Sequence, residues 1–404
     1  MPNPLYAFTL PSLNDDTPLA CRIYHPKNIQ LETPDGQADL RGAVIAHPYA
    51  PLGGSYDDAV VLSVTETLVN EGYIVMTFNF RLNESRGATG SAGHTSWTGR
   101  PETDDYSSVA GFLIEYLQDI RRPSSEQVIG SDRPPPLQII FGGYSYGSLV
   151  LARVPPPEAI THRLREATTG TAAYEITIRA RTLAERTWKA TQEAVENSAR
   201  GSGQGSARST PPVTSSPLTM GGEETDSSER RRSRESKRAL SRARKSAQLP
   251  HRIKAHRREH SEKRSRFSHD PQRSEDDVPR EGQDRAEEQA VNPKYLLISP
   301  VLLPLTTLLC PPGPSIPFVG MARHSDAGNG GYSFTNHNTL ALFGTADVFT
   351  SSKRLQTWAE KQKTSNPQFE WKEIEDAGHF WHREGAMEAL EERIASWVKG
   401  LTLA

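Results

Sequence analysis

Short apolar runs alternate with stretches of helical period along two parts of this chain, and a long polar stretch separates them. Leu5 to Leu10 and Leu19 to Tyr24 alternate apolar and polar positions on either side of Asn14-Asp15-Asp16, a pattern that predicts an edge hairpin. Gly42 to Ala46 is the first run apolar at every position, as in a strand buried on both faces, and Tyr73 to Phe80 reads as the next strand. Between them Asp57 to Glu71 carries Val60, Val61, Val64, Leu68 and Val69 at helical spacing and meets its stop at Gly72. Glu102 to Ile120 repeats the helical pattern with Val109, Phe112, Leu113, Tyr116 and Leu117, and Leu137 to Phe141 follows as a third buried strand. Strand, helix, strand, helix, strand at this spacing predicts a parallel sheet with helices on both faces.

The pattern stops at Pro155-Pro156-Pro157. From there to about Asn292 no strand of the body is expected; Arg163 to Asn197 permits a helix, with Ile178, Leu183 and Trp188 loosely spaced. Residues 201–285 are rich in Gly, Ser, Thr and Arg and nearly free of large apolar side chains, so disorder is the expectation: little burial is on offer to offset the ordering entropy. The body resumes with strands at Tyr295 to Ser299, Thr339 to Phe343 and Phe369 to Glu375, and with helices at Ser351 to Lys363 and Glu384 to Leu401. Loops are expected over 85–99 and 301–337. The expected organisation is one α/β body in two halves, 1–155 and 293–404, around an insertion over 156–292 that is helical near 163–197 and disordered over 201–285.

Composition sharpens this division. Apolar residues make up only 35% of the 404, below the usual share for a globular chain. The formal net charge of −2 conceals an uneven spread: Arg230 to Arg266 hold 16 Lys or Arg against 3 Asp or Glu, leaving 31 basic and 46 acidic residues elsewhere. An acidic body therefore carries a basic insert. That run has few aromatic neighbours, which argues against a base-stacking nucleic-acid site, although Arg-rich segments also serve nuclear entry or RNA contact. Cys21 and Cys310 are too few for a disulfide framework or a Cys-rich zinc site. The N-terminal residues show no secretory pattern, and Tyr295 to Cys310, broken by Pro300 and Pro304, is short for a membrane span. The expectation is an intracellular, cytoplasmic protein, with nuclear entry open through the basic run.

The candidate chemistry begins where the third buried strand ends. Gly143-Tyr144-Ser145-Tyr146-Gly147 stands between that strand and a segment able to start a helix. In this context a sharp turn lifts one serine out of the sheet, and the N–H of the next residue lies at the helix start, where an oxyanion would form. Ser145 is the candidate nucleophile. Asp347 follows a later strand in Gly344-Thr-Ala-Asp347, and His379 follows the last in Asp376-Ala-Gly-His379, so the chain order is Ser, Asp, His. All three fall at the C-terminal ends of strands, where open α/β sheets place their sites. His379 is the candidate base and Asp347 the acid that orients it; Asp376 competes as the acid, and His382 and His47 as the base. His382 is expected to face solvent and His47 to pack under the loop that follows the first core strand.

Together these pieces, with His47-Pro48 and Gly53-Gly54 after the first core strand and Phe380 after the histidine, resemble the α/β-hydrolase superfamily over nearly all of 5–155 and 293–401. The His-Pro…Leu-Gly-Gly loop resembles a subgroup near the serine-aminopeptidase and dienelactone-hydrolase branches. The resemblance implies a Ser-His-Asp hydrolase of esters, thioesters or amides that needs no cofactor. It also implies that the loop after the first core strand supplies the second oxyanion donor. Pro48 and Pro51 have no N–H to give, which leaves Tyr49 or Ala50, with Tyr49 favoured beside Tyr146. Two features depart from the family pattern: Arg81 to Gly87 stands where members often carry Arg-Gly-x-Gly, and the 156–292 interruption falls earlier than the usual lid. A serine hydrolase acting on a small or medium acyl substrate is the leading reading. An idle scaffold that recruits a partner through its basic insert is the alternative.

Overall fold

A computed structural model describes residues 2–27, 40–81, 95, 99–121, 136–201, 219–220, 290–302 and 334–403. The expected loops over 85–99 and 301–337, for the most part, and the basic run 230–266 with the expected disorder around it lie outside the described residues.

The strands are β1 (Tyr6–Pro11), β2 (Pro18–Tyr24), β3 (Arg41–Ala46), β4 (Tyr73–Phe78), β5 (Leu137–Tyr144), β6 (Thr219–Met220), β7 (Val291–Ile298), β8 (Thr339–Ala346) and β9 (Phe369–Gly378). They form one sheet in the order β6-β1-β2-β4-β3-β5-β7-β8-β9. From β4 to β9 every neighbouring pair is parallel, while β2 runs antiparallel to both β1 and β4. A mostly parallel sheet with one antiparallel second strand, and with β4 and β3 transposed, is the α/β-hydrolase arrangement. The expected hairpin at the N-terminus is β1 and β2. One expectation changes: Thr219 and Met220 pair with Ala7 and Phe8, so the stretch before Asn292 does contain a strand, on the otherwise open edge of β1.

The helices are α1 (Ala59–Asn70), α2 (Arg100–Arg121), α3 (Tyr146–Leu151), α4 (Pro157–Arg165), α5 (Ala172–Gly201), α6 (Ser352–Ser365) and α7 (Ala386–Leu403). Alternation along the strands divides their side chains between two cores, one on each face of the sheet. Val44 and Ala46 of β3 and Ile74 and Met76 of β4 enter the core shared with α2, α4, α5 and α6. Ala43, Ile45, Tyr73 and Val75 enter the opposite core with Val60, Val64 and Leu68 of α1 and Leu390, Ile394 and Trp397 of α7. Helix α1 starts where the Asp58 carboxylate accepts from the Val60 N–H, and it stops at Gly72 with φ 89°.

The expected helix near 163–197 is two helices, α4 and α5, and both pack on the body. Ile160 and Leu164 of α4, and Ala173, Ile176, Ala180, Leu183 and Ala184 of α5, belong to the core of the α2 face. Ile178 is 38% exposed. Half of the buried residues of α5, Ala173, Ala180 and Ala184, are alanines, which a count of large apolar residues does not register. Polar bonds fasten the same helices: the Arg163 guanidinium donates to the Leu13 carbonyl at 2.6 Å and Arg179 donates to Thr9 O. The Tyr116 hydroxyl of α2 meets Thr187 Oγ1 of α5 at 2.8 Å and His25 Nε2 at 2.9 Å.

Arg81, just past β4, is 3% exposed and donates to both oxygens of Asp105, which is fully buried, at 2.8 and 2.5 Å. It also donates to Asp15 Oδ2 at 2.8 Å and to Ser12 Oγ at 3.0 Å, and the Ser12 hydroxyl donates on to Asp105 at 2.6 Å. Burial alone would raise the Asp105 carboxyl; Arg81 works against that rise. The pair ties the β1–β2 turn, the end of β4 and α2 into one node. Removing Asp105 leaves the buried Arg81 with only the half-exposed Asp15 as countercharge and two of its bonds unmade, so Asp105→Ala is expected to cost about 3–5 kcal/mol in urea unfolding. Asp15→Ala, whose carboxylate is half exposed, is expected to cost roughly 1 kcal/mol or less.

Candidate active site

Ser145 joins β5 to α3 with φ 56° and ψ −113°, a conformation disfavoured for a residue bearing a Cβ. The flanking glycines make it attainable. A Cβ on Gly143 would lie 2.4 Å from the Gly147 carbonyl carbon, and one on Gly147 would lie 2.6 Å from the Ala46 oxygen of β3. The turn is also pinned by hydrogen bonds. The Ser145 N–H donates to the Ile298 carbonyl of β7 at 2.8 Å, and the Ser148 hydroxyl donates to the Gly143 carbonyl.

Asp347 follows β8 directly, beyond an irregularity in the β8–β9 ladder at Gly344 and Ala346. Its Oδ1 accepts from the N–H groups of Phe349 at 2.8 Å and Thr350 at 3.1 Å. That leaves Oδ2 for the His379 ring, whose Nδ1 lies 2.7 Å away. His379 Nε2 lies 2.8 Å from Ser145 Oγ. An ionised carboxylate only accepts, so Nδ1 carries the ring proton and Nε2 is free to accept from the serine hydroxyl. Ser145 and Asp347 are each 8% exposed and His379 4%, so these bonds form largely out of water. The Phe349 ring lies against the imidazole, with 4.4 Å between centroids.

The competing candidates lie elsewhere. Asp376 has φ 57°, its N–H donates to Thr345 Oγ1 at 2.8 Å, and its largely exposed carboxylate faces Arg383 at 3.5 Å. Its carboxylate thus turns to a cation on the surface and away from the His379 ring. His382 is exposed and stacks on Phe380. His47 is fully buried beneath the loop after β3, as expected. Its Nε2 accepts the Phe80 N–H at 2.9 Å, which leaves Nδ1–H to donate to the Pro48 carbonyl at 2.5 Å.

That last bond bears on the second oxyanion donor. The Pro48 carbonyl and the Tyr49 N–H belong to the same peptide unit, which is trans. Fixing the carbonyl toward His47 sends the N–H the opposite way. Tyr49 then opens a short 3₁₀ turn, Ala50–Leu52, and accepts from the N–H groups of Leu52 and Gly54. Tyr146 is the first residue of α3, where an N–H has no acceptor within the helix. The rings of Tyr49 and Tyr146 touch edge-on, 5.2 Å apart, so the loop after β3 and the start of α3, which carry the two candidate donors, are neighbours.

Sequence reasoning missed Tyr144, Ser148, Ser299, Phe349 and Trp381, all of which touch the triad residues or their loops. Tyr144 and Ser148 lie within or beside the serine motif, but nothing in the motif distinguishes them. Among the described residues no group of three or more His, Cys, Asp or Glu side chains is arranged to hold a metal ion, and no helix is long and apolar enough to cross a membrane.

The sequence matches no protein-family model and no curated protein. Among solved structures the fold is similar to an α/β serine hydrolase homologue from Coxiella burnetii, at 12% identity and TM-score 0.43, covering 98% of this chain and 97% of that one. It is similar also to an α/β serine hydrolase without lid from Xanthomonas campestris, at 16% identity and TM-score 0.42, covering 99% and 98%. A third is esterase 2 of Thermogutta terrifontis, phosphoramylated by tabun, at 13% identity and TM-score 0.41, covering 98% and 96%. The assignment of the fold rests on this chain's own strand order and connections.

Burial pushes the His47 ring down from 6.5 to about 4. The unfolded chain therefore binds one more proton than the folded chain between those values. The contribution of His47 is full above about pH 6.5 and is lost as the pH falls through about 4, with a size on the order of 3 kcal/mol. His47→Gln is expected to flatten the stability curve in that window. Urea unfolding of the parent and the variant from pH 7 to pH 4 measures the difference.

Proposed function

We propose that this chain, which has the α/β-hydrolase fold, is a serine hydrolase that cleaves an ester, thioester or amide of a small or medium acyl substrate through an acyl-enzyme. The single observation that carries the reading is the buried, unbroken chain of bonds from Ser145 Oγ through the His379 imidazole to Asp347, at 2.8 and 2.7 Å. A serine hydroxyl is nearly inert until a base takes its proton, and a neutral imidazole within hydrogen-bond reach is such a base.

In this reading Ser145 Oγ attacks the acyl carbon while His379 Nε2 takes its proton. Asp347 holds the tautomer that leaves Nε2 free and stabilises the imidazolium that results. The carbonyl oxygen gathers negative charge and is met by the N–H groups of Tyr146 and Tyr49. Collapse of the tetrahedral species breaks the bond to the leaving group, which receives the proton from His379. Water, deprotonated by the same imidazole, then releases the acid and restores the serine. No cofactor enters these steps. The strained backbone of Ser145 supports the assignment, because such strain concentrates at functional sites and persists only where the surroundings enforce it. A water-excluded site also strengthens each of these electrostatic contacts.

A panel of p-nitrophenyl esters of increasing acyl length, with a peptide p-nitroanilide alongside, tests the activity and its acyl range. Ser145→Ala is expected to lose covalent labelling by a fluorophosphonate probe and at least ~10⁴-fold in turnover while keeping its fold. Asp347→Asn is expected to lose several orders of magnitude in kcat, because the amide favours the wrong imidazole tautomer. Asp376→Asn is expected to keep most of the parental rate. Undiminished labelling of Ser145→Ala would end the assignment of the nucleophile.

A further inference from the structure

Three bonds hold the segment that carries His379, and none of them involves Asp347. The Tyr144 hydroxyl donates to the His379 carbonyl at 2.8 Å. The Trp381 indole N–H donates to Ser299 Oγ at 3.1 Å, and the Trp381 backbone N–H returns to the Gly378 carbonyl at 3.2 Å. Tyr144 and Trp381 are each 1% exposed and Ser299 is fully buried. Trp381 and its anchor Ser299 both have positive φ, 56° and 44°, so both ends of that bond are held in conformations that residues with a Cβ do not favour.

The placement of these partners is informative. Tyr144 is the last residue of β5 and immediately precedes Ser145, and Ser299 immediately follows β7, whose Ile298 carbonyl receives the Ser145 N–H. The two anchors of the histidine segment are therefore chain neighbours of the residues that set the serine. The bond from Tyr144 spans the elbow directly: a short, stiff connection runs from the serine's own backbone to the backbone of the histidine. Asp347 controls which imidazole nitrogen is protonated and how the ring turns. It does not fix how far the histidine backbone stands from the elbow.

We infer that Tyr144 is a positioning residue whose hydroxyl, with the Trp381–Ser299 bond as its second anchor, sets the distance between the His379 imidazole and Ser145 Oγ. The inference rests on the serine-hydrolase reading above. Burial pushes the Tyr144 phenol well above its usual range, so it remains a donor throughout the working pH of such an enzyme. The hydroxyl's one proton is spent on the His379 carbonyl, and the residue is 1% exposed.

Tyr144→Phe removes one oxygen and leaves the ring's packing in place. A misplacement on the scale of an ångström costs up to about 100-fold in rate. The expected result is a 10- to 100-fold fall in kcat on the best p-nitrophenyl ester, a similar fall in the rate of fluorophosphonate labelling, and an unchanged KM. The downfield proton resonance of His379 Nδ1–H is expected to persist in Tyr144→Phe and to vanish in Asp347→Asn. In a His379→Ala background Tyr144→Phe is expected to have no further effect on the residual rate, because residues acting through one group are not additive. A merely structural loss would move the melting temperature and carry through to that background. Trp381→Phe, which keeps an aromatic ring in the core but loses the indole N–H, is expected to lower kcat in the same direction, and it serves as the second variant if Tyr144→Phe does not fold. Parental kcat and labelling rate in folded Tyr144→Phe would overturn the inference while leaving the hydrolase reading intact. A parent protein that is not labelled at Ser145 would remove both.

Discussion

The constraint on which the rest of the structure depends is the approach of three backbones at the serine turn. The end of β5 folds back over the start of α3 closely enough that a Cβ on Gly143 would lie 2.4 Å from Gly147. The start of α3 in turn lies against the end of β3, where a Cβ on Gly147 would meet Ala46 at 2.6 Å. With those contacts in place, Ser145 has no relaxed conformation open to it and keeps φ 56°. Strain of this kind, on the order of 1–3 kcal/mol, must be offset by the packing around it. The offset comes from the strands on either side of β5, whose later residues, Ala43 to Ala46 and Tyr295 to Ile298, divide between the apolar cores on the two faces.

A second feature follows from burial. Several polar groups near the sheet's C-terminal edge that leave water bond one another, and those bonds set the loops. His47 satisfies the Phe80 N–H on one side and the Pro48 carbonyl on the other, and thereby orients the peptide that bears the Tyr49 N–H. Arg81 and Asp105 neutralise each other where β4 ends, with Ser12 and Asp15 completing the guanidinium's bonds. Tyr144 and Ser299 take the carbonyl of His379 and the indole of Trp381. An unpaired buried polar group costs about 1–3 kcal/mol, so each bond narrows the conformations its loop can adopt. The geometry around Ser145 is thus held by polar bonds at the edge as well as by the apolar cores beneath.

Helices α4 and α5 show how a segment that reads as marginal can still join the body. Their bonds to Leu13 and Thr9 reach back to the N-terminal hairpin, and the Tyr116–Thr187 contact joins α5 to α2. The buried face of α5 carries Ala173, Ala180 and Ala184 beside Ile176 and Leu183. Small side chains still add to the core by the sum of their many atom contacts. Exposed Ile178 and buried Ala180, two residues apart, mark the turn of that face.

The sequence by itself determined the strands and helices of the body, because the period of apolar residues is a local property and burial on both sheet faces imprints it on each strand. It also determined the order of serine, aspartate and histidine and placed each just past a strand, since a turn after an apolar run is visible in a short window. Only the tertiary structure decided between Asp347 and Asp376, which lie 32 and 3 residues from His379 along the chain; the nearer one turns to Arg383 and the farther one meets the imidazole. It alone showed the hydrogen-bond partners of His47, Tyr144, Ser299 and Trp381, the meeting of Arg81 with Asp105, and the packing of α5. The physical reason is common to all of these. Such contacts join residues far apart in sequence, and they exist only once the register of a nine-stranded sheet has fixed which strand ends are neighbours.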